Sequence, residues 1–416
     1  MVQAPVRKPL LLLLIGISLV TVNPRINGWN EASRMALTQS LVEQGSFIID
    51  NSEFAETGDR VYINDHFYSD KPPIPSLLAA LVYLPIYHLG GQLSYGWNLA
   101  YYLIILLTVK LWWLLSVLAF AQILMLRGLT GQKYLRIVLL FAFTSIAFSW
   151  SATFNNHSLA ASWLTIAFLY YLNWKNTGNI FHAAISGLFF GLSGSADVPT
   201  GLFLIGFALL VFHKSGFSKS LLAYLALGFI PLLTYGVLNY TISGSLLPVQ
   251  IVGDNFAYEG SVWGQGLQVN SLVASIKYAF LSLIGMKGFI WYNPLLILII
   301  PAMILHIRQK SSFWMEGVII GISSMILVIY YSIYTQNYGG WTYSIRWFVP
   351  LLPLLYFYLY DLLEFTAGNA MRRALNYLVS ISILISVIGL VNPWSNPAYH
   401  SVPFIANIKQ LLDFIL

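Results

Sequence analysis

Cysteine is absent from the 416 residues. Disulfides, thiolate nucleophiles and Cys-ligated zinc are therefore excluded, and cysteine usage carries no record of the redox compartment. Charge is nearly as scarce. Only 9% of the residues are Asp, Glu, Lys or Arg, whereas an average soluble domain carries about 25%. That is too little to cover a soluble surface of this size, so a soluble enzyme, a nucleic-acid binder and a disordered chain are all excluded. The sequence also lacks the H-E-x-x-H spacing of a helical zinc site, low-complexity tracts, and any repeat of the length that marks solenoids. What remains is apolar: 58% of residues are hydrophobic and 16% aromatic, with mean hydropathy +0.72. The apolar runs extend from end to end, which predicts one integral membrane unit over 1–416.

These runs fall near 9–23, 75–90, 98–126, 135–152, 158–173, 181–195, 199–213, 220–241, 272–285, 289–307, 316–334, 347–366 and 374–391. Several are shorter than the ~20 residues a perpendicular helix needs to cross a bilayer. The first, after the basic Arg7 and Lys8, reads as an uncleaved anchor. The net charge of +6 matters less here than where the basic residues lie. Short basic loops occur at Arg7/Lys8, Arg127/Lys133/Arg136, Lys175, Lys214/Lys219, Arg308/Lys310 and Arg372/Arg373. All can be cytoplasmic at once if 75–90 and 272–285 are interfacial or re-entrant rather than full crossings. The expectation is then about eleven spans, or thirteen if both cross, with the N-terminus cytoplasmic.

That topology places 24–74, 242–271 and the tail from 392 to 416 outside. Acidic residues played no part in building it, yet most of them collect there. Glu31, Glu43, Asp50, Glu53, Glu56, Asp59, Asp65 and Asp70 all lie in 24–74. The outer face is therefore the expected place for chemistry. Within the loop, Trp29, Ala32, Met35, Ala36 and Val42 recur at helical spacing, which predicts an amphipathic helix over 29–44 on the bilayer surface, ended by Gly45.

Four constellations stand out. Glu31 and Arg34 lie three apart on one helical face; this is a carboxylate and guanidinium suited to a general base beside a phosphate, or an ordinary ion pair. Tyr68-Ser69-Asp70-Lys71-Pro72-Pro73 holds Asp70 and Lys71 in an extended segment just before an apolar run. There Lys71 can neutralise a lipid-linked phosphate or simply snorkel, and Asp70 can serve as acid/base or metal ligand. Asn155, His157 and Asp197 sit at outer ends of spans, where ionisable groups are costly and are functional candidates by default. His157 is otherwise an interfacial histidine and Asp197 a helix N-cap. Finally, Tyr338 to Arg346 combines two glycines with Trp341 and Tyr343, rings that can stack on a sugar or form an aromatic belt. Trp263, Asp254 and Glu259 in outer loops either line a cavity or face headgroups. A divalent metal is left open.

Together these pieces resemble the GT-C superfamily of membrane glycosyltransferases, in particular the family of protein O-mannosyltransferases and lipid A aminoarabinose transferases. There the first outer loop opens with an acidic pair followed by a basic residue, and a D/E-K-P-P segment precedes the next helix. This chain has Asn30-Glu31 with Arg34, then Asp70-Lys71-Pro72-Pro73. The stretch SRMALTQSLVEQGSFIID…TGDRVYINDHFYSDKPP also looks like a bacterial branch of the family, and YGGWTYSIRWFVPLLPLL is similar to a later segment of that branch. The resemblance covers about 1–240 and, locally, 330–360. It implies an all-α, polytopic GT-C-like fold in the bacterial inner membrane. It also implies transfer of a sugar from a polyprenyl-phosphate donor to an extracytoplasmic acceptor of unknown identity, with inversion. Lys71 would contact the donor phosphate, helped by Arg34 and Arg346, while Asn30, Tyr68, Asn155, His157, Asp197, Trp341 and Tyr343 would line the cavity. One departure matters. The first acidic position is Asn30, which cannot take a proton at neutral pH, so the base would be Glu31 or Asp70. The family's large soluble C-terminal domain has no counterpart in the expected layout. Two other readings use the same residues: a transporter or flippase of a lipid-linked sugar, and an inactive scaffold subunit.

Overall fold

The structure is a computed structural model that describes residues 8–262, 268–360, 368–395 and 401–416. Arg7, Trp263 and the end of the expected 347–366 span lie outside the described residues. The chain is helical almost throughout, with one two-stranded hairpin among the described residues. Among the described residues five helices are long and apolar enough to cross a membrane: Leu99–Leu126, Val198–Ser215, Lys219–Ser243, Trp314–Tyr334 and Met371–Val391. Shorter apolar helices are Lys8–Val20, Pro73–His88, Ile180–Ala196, Leu272–Ile284 and Leu296–Arg308; they include the two segments that the charge pattern sets apart, Pro73–His88 and Leu272–Ile284, but length does not distinguish these from the other three. The architecture is that of an all-α polytopic membrane protein.

The site is framed by a few elements. Helix α1 (Lys8–Val20) leads into the loop that carries α2 (Trp29–Glu43). A hairpin follows, β1 (Arg60–Ile63) with β2 (His66–Ser69), in the register Arg60↔Ser69 to Ile63↔His66. Its two turn residues, Asn64 and Asp65, both have positive φ (50° and 65°), the conformation of the tight turns that suit strand twist and that Asn and Asp tolerate. Pro73 then starts α3 (Pro73–His88). The long α4 (Leu99–Leu126) contains a π-helical turn at Leu106–Lys110. Beyond α5 (Gly131–Phe143) and α6 (Ile146–Trp150) come α7 (Asn156–Thr177), α8 (Ile180–Ala196), α9 (Gly201–Ser215) and α10 (Lys219–Ser243).

The sequence reading makes α2 an amphipathic helix on the bilayer surface; in the structure both its apolar and its polar faces are covered by protein. The helix exists and ends beside Gly45, which has φ 62°, but Asn30 to Ser40 are buried without a break. The periodicity marks only its apolar contacts. Met35, Ala36 and Leu37 join a core of Ala79, Tyr83, Tyr101, Ile104 and Trp163, while its polar side finds protein partners in place of headgroups. Small residues make this possible: the Arg34 carbonyl accepts from both Thr38 Oγ1 (2.8 Å) and Ser76 Oγ (3.1 Å), joining α2 to α3.

The tightest contact in the membrane region is between α8 and α10. A Cβ on Gly187 would lie 1.9 Å from the Tyr224 carbonyl oxygen, and one on Gly191 2.0 Å from that of Gly228. Only glycine lets the two backbones approach so closely, the small-xxx-small device of membrane helices. Replacing Gly191 with Ala should therefore force the helices apart and cost about 1–3 kcal/mol, visible as a lower unfolding temperature in detergent. Gly16→Ala, whose new methyl group meets nothing within 4 Å, should be neutral or slightly stabilising. Equal melting of the two variants would contradict this packing.

Candidate active site

The first turn of α2 shows how the sequence builds the site. Gly28 is the N-cap and has no side chain to offer, and a Cβ there would come 3.3 Å from the Trp394 ring. Glu31, in the first turn, instead reaches back past Gly28 to accept the Asn27 N–H at 2.8 Å, which ties the approaching chain to the start of the helix. Its carboxylate also accepts from the hydroxyls of Tyr101 and Thr153, and Thr153 Oγ1 in turn accepts from Trp394 Nε1 at 3.1 Å. Glu31 is completely buried. Burial pushes its pKa up from about 4.5 to about 7, against the pull of those hydrogen bonds.

Arg34 lies one turn on and is also buried. Its three nitrogens all meet neutral oxygens: Nε donates to Asn30 Oδ1 (3.3 Å), Nη1 to the Pro72 carbonyl (3.4 Å) and Nη2 to Asn156 Oδ1 (2.8 Å). Burial lowers its pKa to about 10, helped by the charge of Arg346 and opposed by Asp70, Asp197 and Asp59. It remains a cation at neutral pH. The hydrogen bond to Pro72 explains why the paired prolines matter, since they present a carbonyl at a fixed place beside Asp70 and Lys71.

Lys71 sits between two carboxylates, 2.8 Å from Asp59 and 2.8 Å from Asp70. The second oxygen of Asp70 has only a long contact, 3.4 Å, from Ser33 Oγ. Burial raises the pKa of Asp70; Lys71 opposes this and Asp59 adds to it. Across the site, His157 Nδ1 and Asp197 Oδ2 are 2.7 Å apart and both residues are buried. Asp197 is thus a partner of His157, with no side-chain capping bond to the helical turn that follows it. Arg346 enters from the 3-10 turn Arg346–Leu351. Its guanidinium lies 4.7 Å over the Trp394 ring, and its Nε and Nη1 are buried with no hydrogen-bond partner. It feels the charges of Asp59, Asp197 and Asp70.

The structure therefore brings together Asn30, Glu31, Arg34, Asp70, Lys71, His157, Asp197 and Arg346. Asn155 stands close by as the N-cap of α7, accepting from Ser158 N and donating to Trp150 and Thr153 carbonyls, so it positions the Thr153 that binds Glu31. Tyr68 is half-buried on β2 beside Val61, Ile242, Val249 and Phe256. Trp341 is exposed. Tyr343 is buried, its hydroxyl donating to Ile385 O at 2.7 Å and its ring edge-on to Tyr292, so it braces the fold. Four participants escape sequence reasoning: Asp59, Tyr101, Thr153 and Trp394. The first is one acidic residue among several in its loop, and the others look like ordinary membrane residues until the fold joins them. For a divalent metal the fit is poor. Among the described residues no group of three His, Asp or Glu side chains converges, and Asp59 with Asp70 already encloses the Lys71 ammonium.

The raised pKa of Glu31 has a consequence for stability. Between about pH 4.5 and 7 the folded protein keeps a proton that the unfolded chain has released, so stability falls as pH rises through that window and levels off above it. The unfolding temperature in detergent should follow this course in wild type and be flatter in Glu31→Gln. Identical slopes would contradict the assignment.

No protein-family model matches the sequence, and no curated protein matches it. Solved structures do. ArnT from Cupriavidus metallidurans in the apo state matches with a TM-score of 0.54 at 12% identity, over 97% of this chain and 73% of ArnT. The same protein bound to undecaprenyl phosphate matches with a TM-score of 0.52 at 11% identity, over the same shares. An oligosaccharyltransferase from Archaeoglobus fulgidus matches more distantly, with a TM-score of 0.46 at 13% identity, over 97% of this chain and 56% of that one. At such identities the likeness is one of fold: this chain has the fold that ArnT adopts.

Proposed function

We propose that this protein transfers a sugar from a polyprenyl-phosphate-linked donor to a hydroxyl acceptor on the extracytoplasmic face of the bacterial inner membrane, with inversion at the anomeric carbon. The observation that carries the reading is Arg346. A buried guanidinium with two unpartnered N–H groups is costly to leave unsatisfied, and a phosphate oxygen satisfies it better than any neutral group. The fold is shared with a protein whose structure holds undecaprenyl phosphate, which supports the same class of lipid here.

In this mechanism Arg346 and the remaining N–H of Lys71 hold the donor phosphate, and Arg34 adds positive potential without direct contact. Asp70, whose Oδ1 has only the long contact from Ser33 and whose basicity is raised by burial, takes the proton from the acceptor hydroxyl. The acceptor oxygen forms its bond to the anomeric carbon as the carbon–oxygen bond to phosphate breaks. The electron pair leaves with polyprenyl phosphate, whose growing charge the cations stabilise. Glu31, already saturated with donors, fixes α2 and acts as a positioning residue. Asn30, Asn155, His157 with Asp197 behind it, Tyr68 and Trp341 are assigned to the walls. No step requires a metal.

Release of free polyprenyl phosphate from a panel of polyprenyl-phosphate sugars, with protein in lipid, tests this. Asp70→Asn should slow release by about 10²–10⁴-fold, Lys71→Ala should abolish it, and Glu31→Gln should keep measurable turnover. An Asp70→Asn variant as fast as wild type would sink the base assignment. Tight donor binding without turnover in wild type would favour the transporter or inactive-subunit reading.

A further inference from the structure

Resting on the transferase reading, the cations that surround the site can be sorted by what they already hold. All three nitrogens of Arg34 have partners, and two of the three N–H groups of Lys71 point at Asp59 and Asp70. Neither is well placed to give a phosphate several bonds. Arg346 has two free donors, but they belong to one group. A dianionic phosphate monoester needs more positive charge than that.

Lys287 provides it. The residue follows the helix Leu272–Ile284, far in sequence from every motif in the first outer loop. Its carbonyl accepts from Ile345 N (3.0 Å) and Ser344 Oγ (3.2 Å), so its backbone is fastened to the residues that precede Arg346. Its ammonium donates to the Gly340 carbonyl, leaving two N–H groups without a protein partner among the described residues. Gly339 packs on the other side of the same turn, where a Cβ would lie 3.6 Å from the Arg346 Cγ. The two cations thus flank the Gly339–Gly340 turn, both glycines having positive φ (85° and 76°). Ser344, between them, has φ 128°, a backbone strain of the kind that persists where surroundings enforce it, often at ligand clamps. Burial pushes the pKa of Lys287 down to about 8, and the Arg346 charge adds to that. No carboxylate contributes to the shift. Two facing cations with spare donors make a seat for an anion.

We infer that Lys287 and Arg346 together form the seat of the carrier-lipid phosphate, with Lys71 and Arg34 on its rim. Each donor on the phosphate is a charge-assisted hydrogen bond, so loss of Lys287 should weaken binding about tenfold.

The test uses wild-type protein and variants in nanodiscs of zwitterionic lipid, with bound undecaprenyl phosphate or undecaprenol counted by native mass spectrometry. Wild type should bind the phosphate and not the alcohol. Lys287→Ala and Lys287→Gln should each lose about tenfold in phosphate binding, and Lys287→Arg should recover most of it. The Gln variant can keep the hydrogen bond to Gly340, so it separates lost charge from lost folding. Wild-type binding by both Lys287→Gln and Lys287→Ala, or equal binding of phosphate and alcohol by wild type, would overturn the seat. Phosphate binding that depends on Lys287 in a protein that transfers no sugar would keep the seat and remove the transferase reading. Unchanged binding in an active enzyme would remove the seat alone.

Discussion

The burial of Arg34 is the constraint on which the half of the molecule that holds the site depends. A guanidinium cannot leave water unless every donor is met, and here the three partners come from three different places. Asn30 is on the same helix, Pro72 opens the segment before α3, and Asn156 begins α7. Satisfying one side chain therefore fixes α2, the Asp70–Pro73 segment and the N-terminal end of the buried helix α7 relative to one another. Because all three partners are neutral, the positive charge is left uncompensated by direct contact and its field reaches the surrounding cavity. The charges of Asp70, Asp197 and Asp59 support the Arg34 cation from a distance, and its field favours an added phosphate for the same reason.

The rest of the site follows from charges that cannot all pair. Lys71 is claimed twice by carboxylates, whereas Arg346 has rings and free N–H groups but no close acceptor. Carboxylates and spare donors are thus separated in space. One wall holds Asp59 and Asp70 around Lys71, the basicity of Asp70 raised by burial, and the other holds Arg346 with unused donors. Trp394 joins the second to Glu31, since its indole N–H supports the Thr153 that binds Glu31 while its face carries Arg346. Such a division suits a reaction that removes a proton from one oxygen and stabilises charge on another.

Much of this is legible in the sequence, and the limits have physical causes. Asp70-Lys71-Pro72-Pro73 announces itself because prolines exclude helix locally, and Asn30, Glu31 and Arg34 are close along one helix. Both signals act over a few residues. The surroundings of α2 could not be read this way. Its polar face looks like one meant for water, but Arg34 and Glu31 find partners up to 122 residues away, and only the fold supplies them. Tyr101 is one of 26 tyrosines and Trp394 one of 13 tryptophans, so neither stands out. Lys287 is hidden for the same reason: its meaning comes from backbone bonds to Ser344 and Ile345, not from its neighbours in sequence. Tyr343 shows the converse. An aromatic beside glycines suggests a sugar platform, yet its hydroxyl and ring are both spent on packing.

The most direct test is an experimental structure of the protein in lipid with undecaprenyl phosphate bound. The account predicts the phosphate within hydrogen-bonding distance of the Arg346 guanidinium, on the side of the site away from Asn156, with Arg34 keeping its three protein partners. A phosphate bound directly by Arg34 in place of Asn156, or one held outside this site with Arg346 still resting on Trp394 alone, would contradict it.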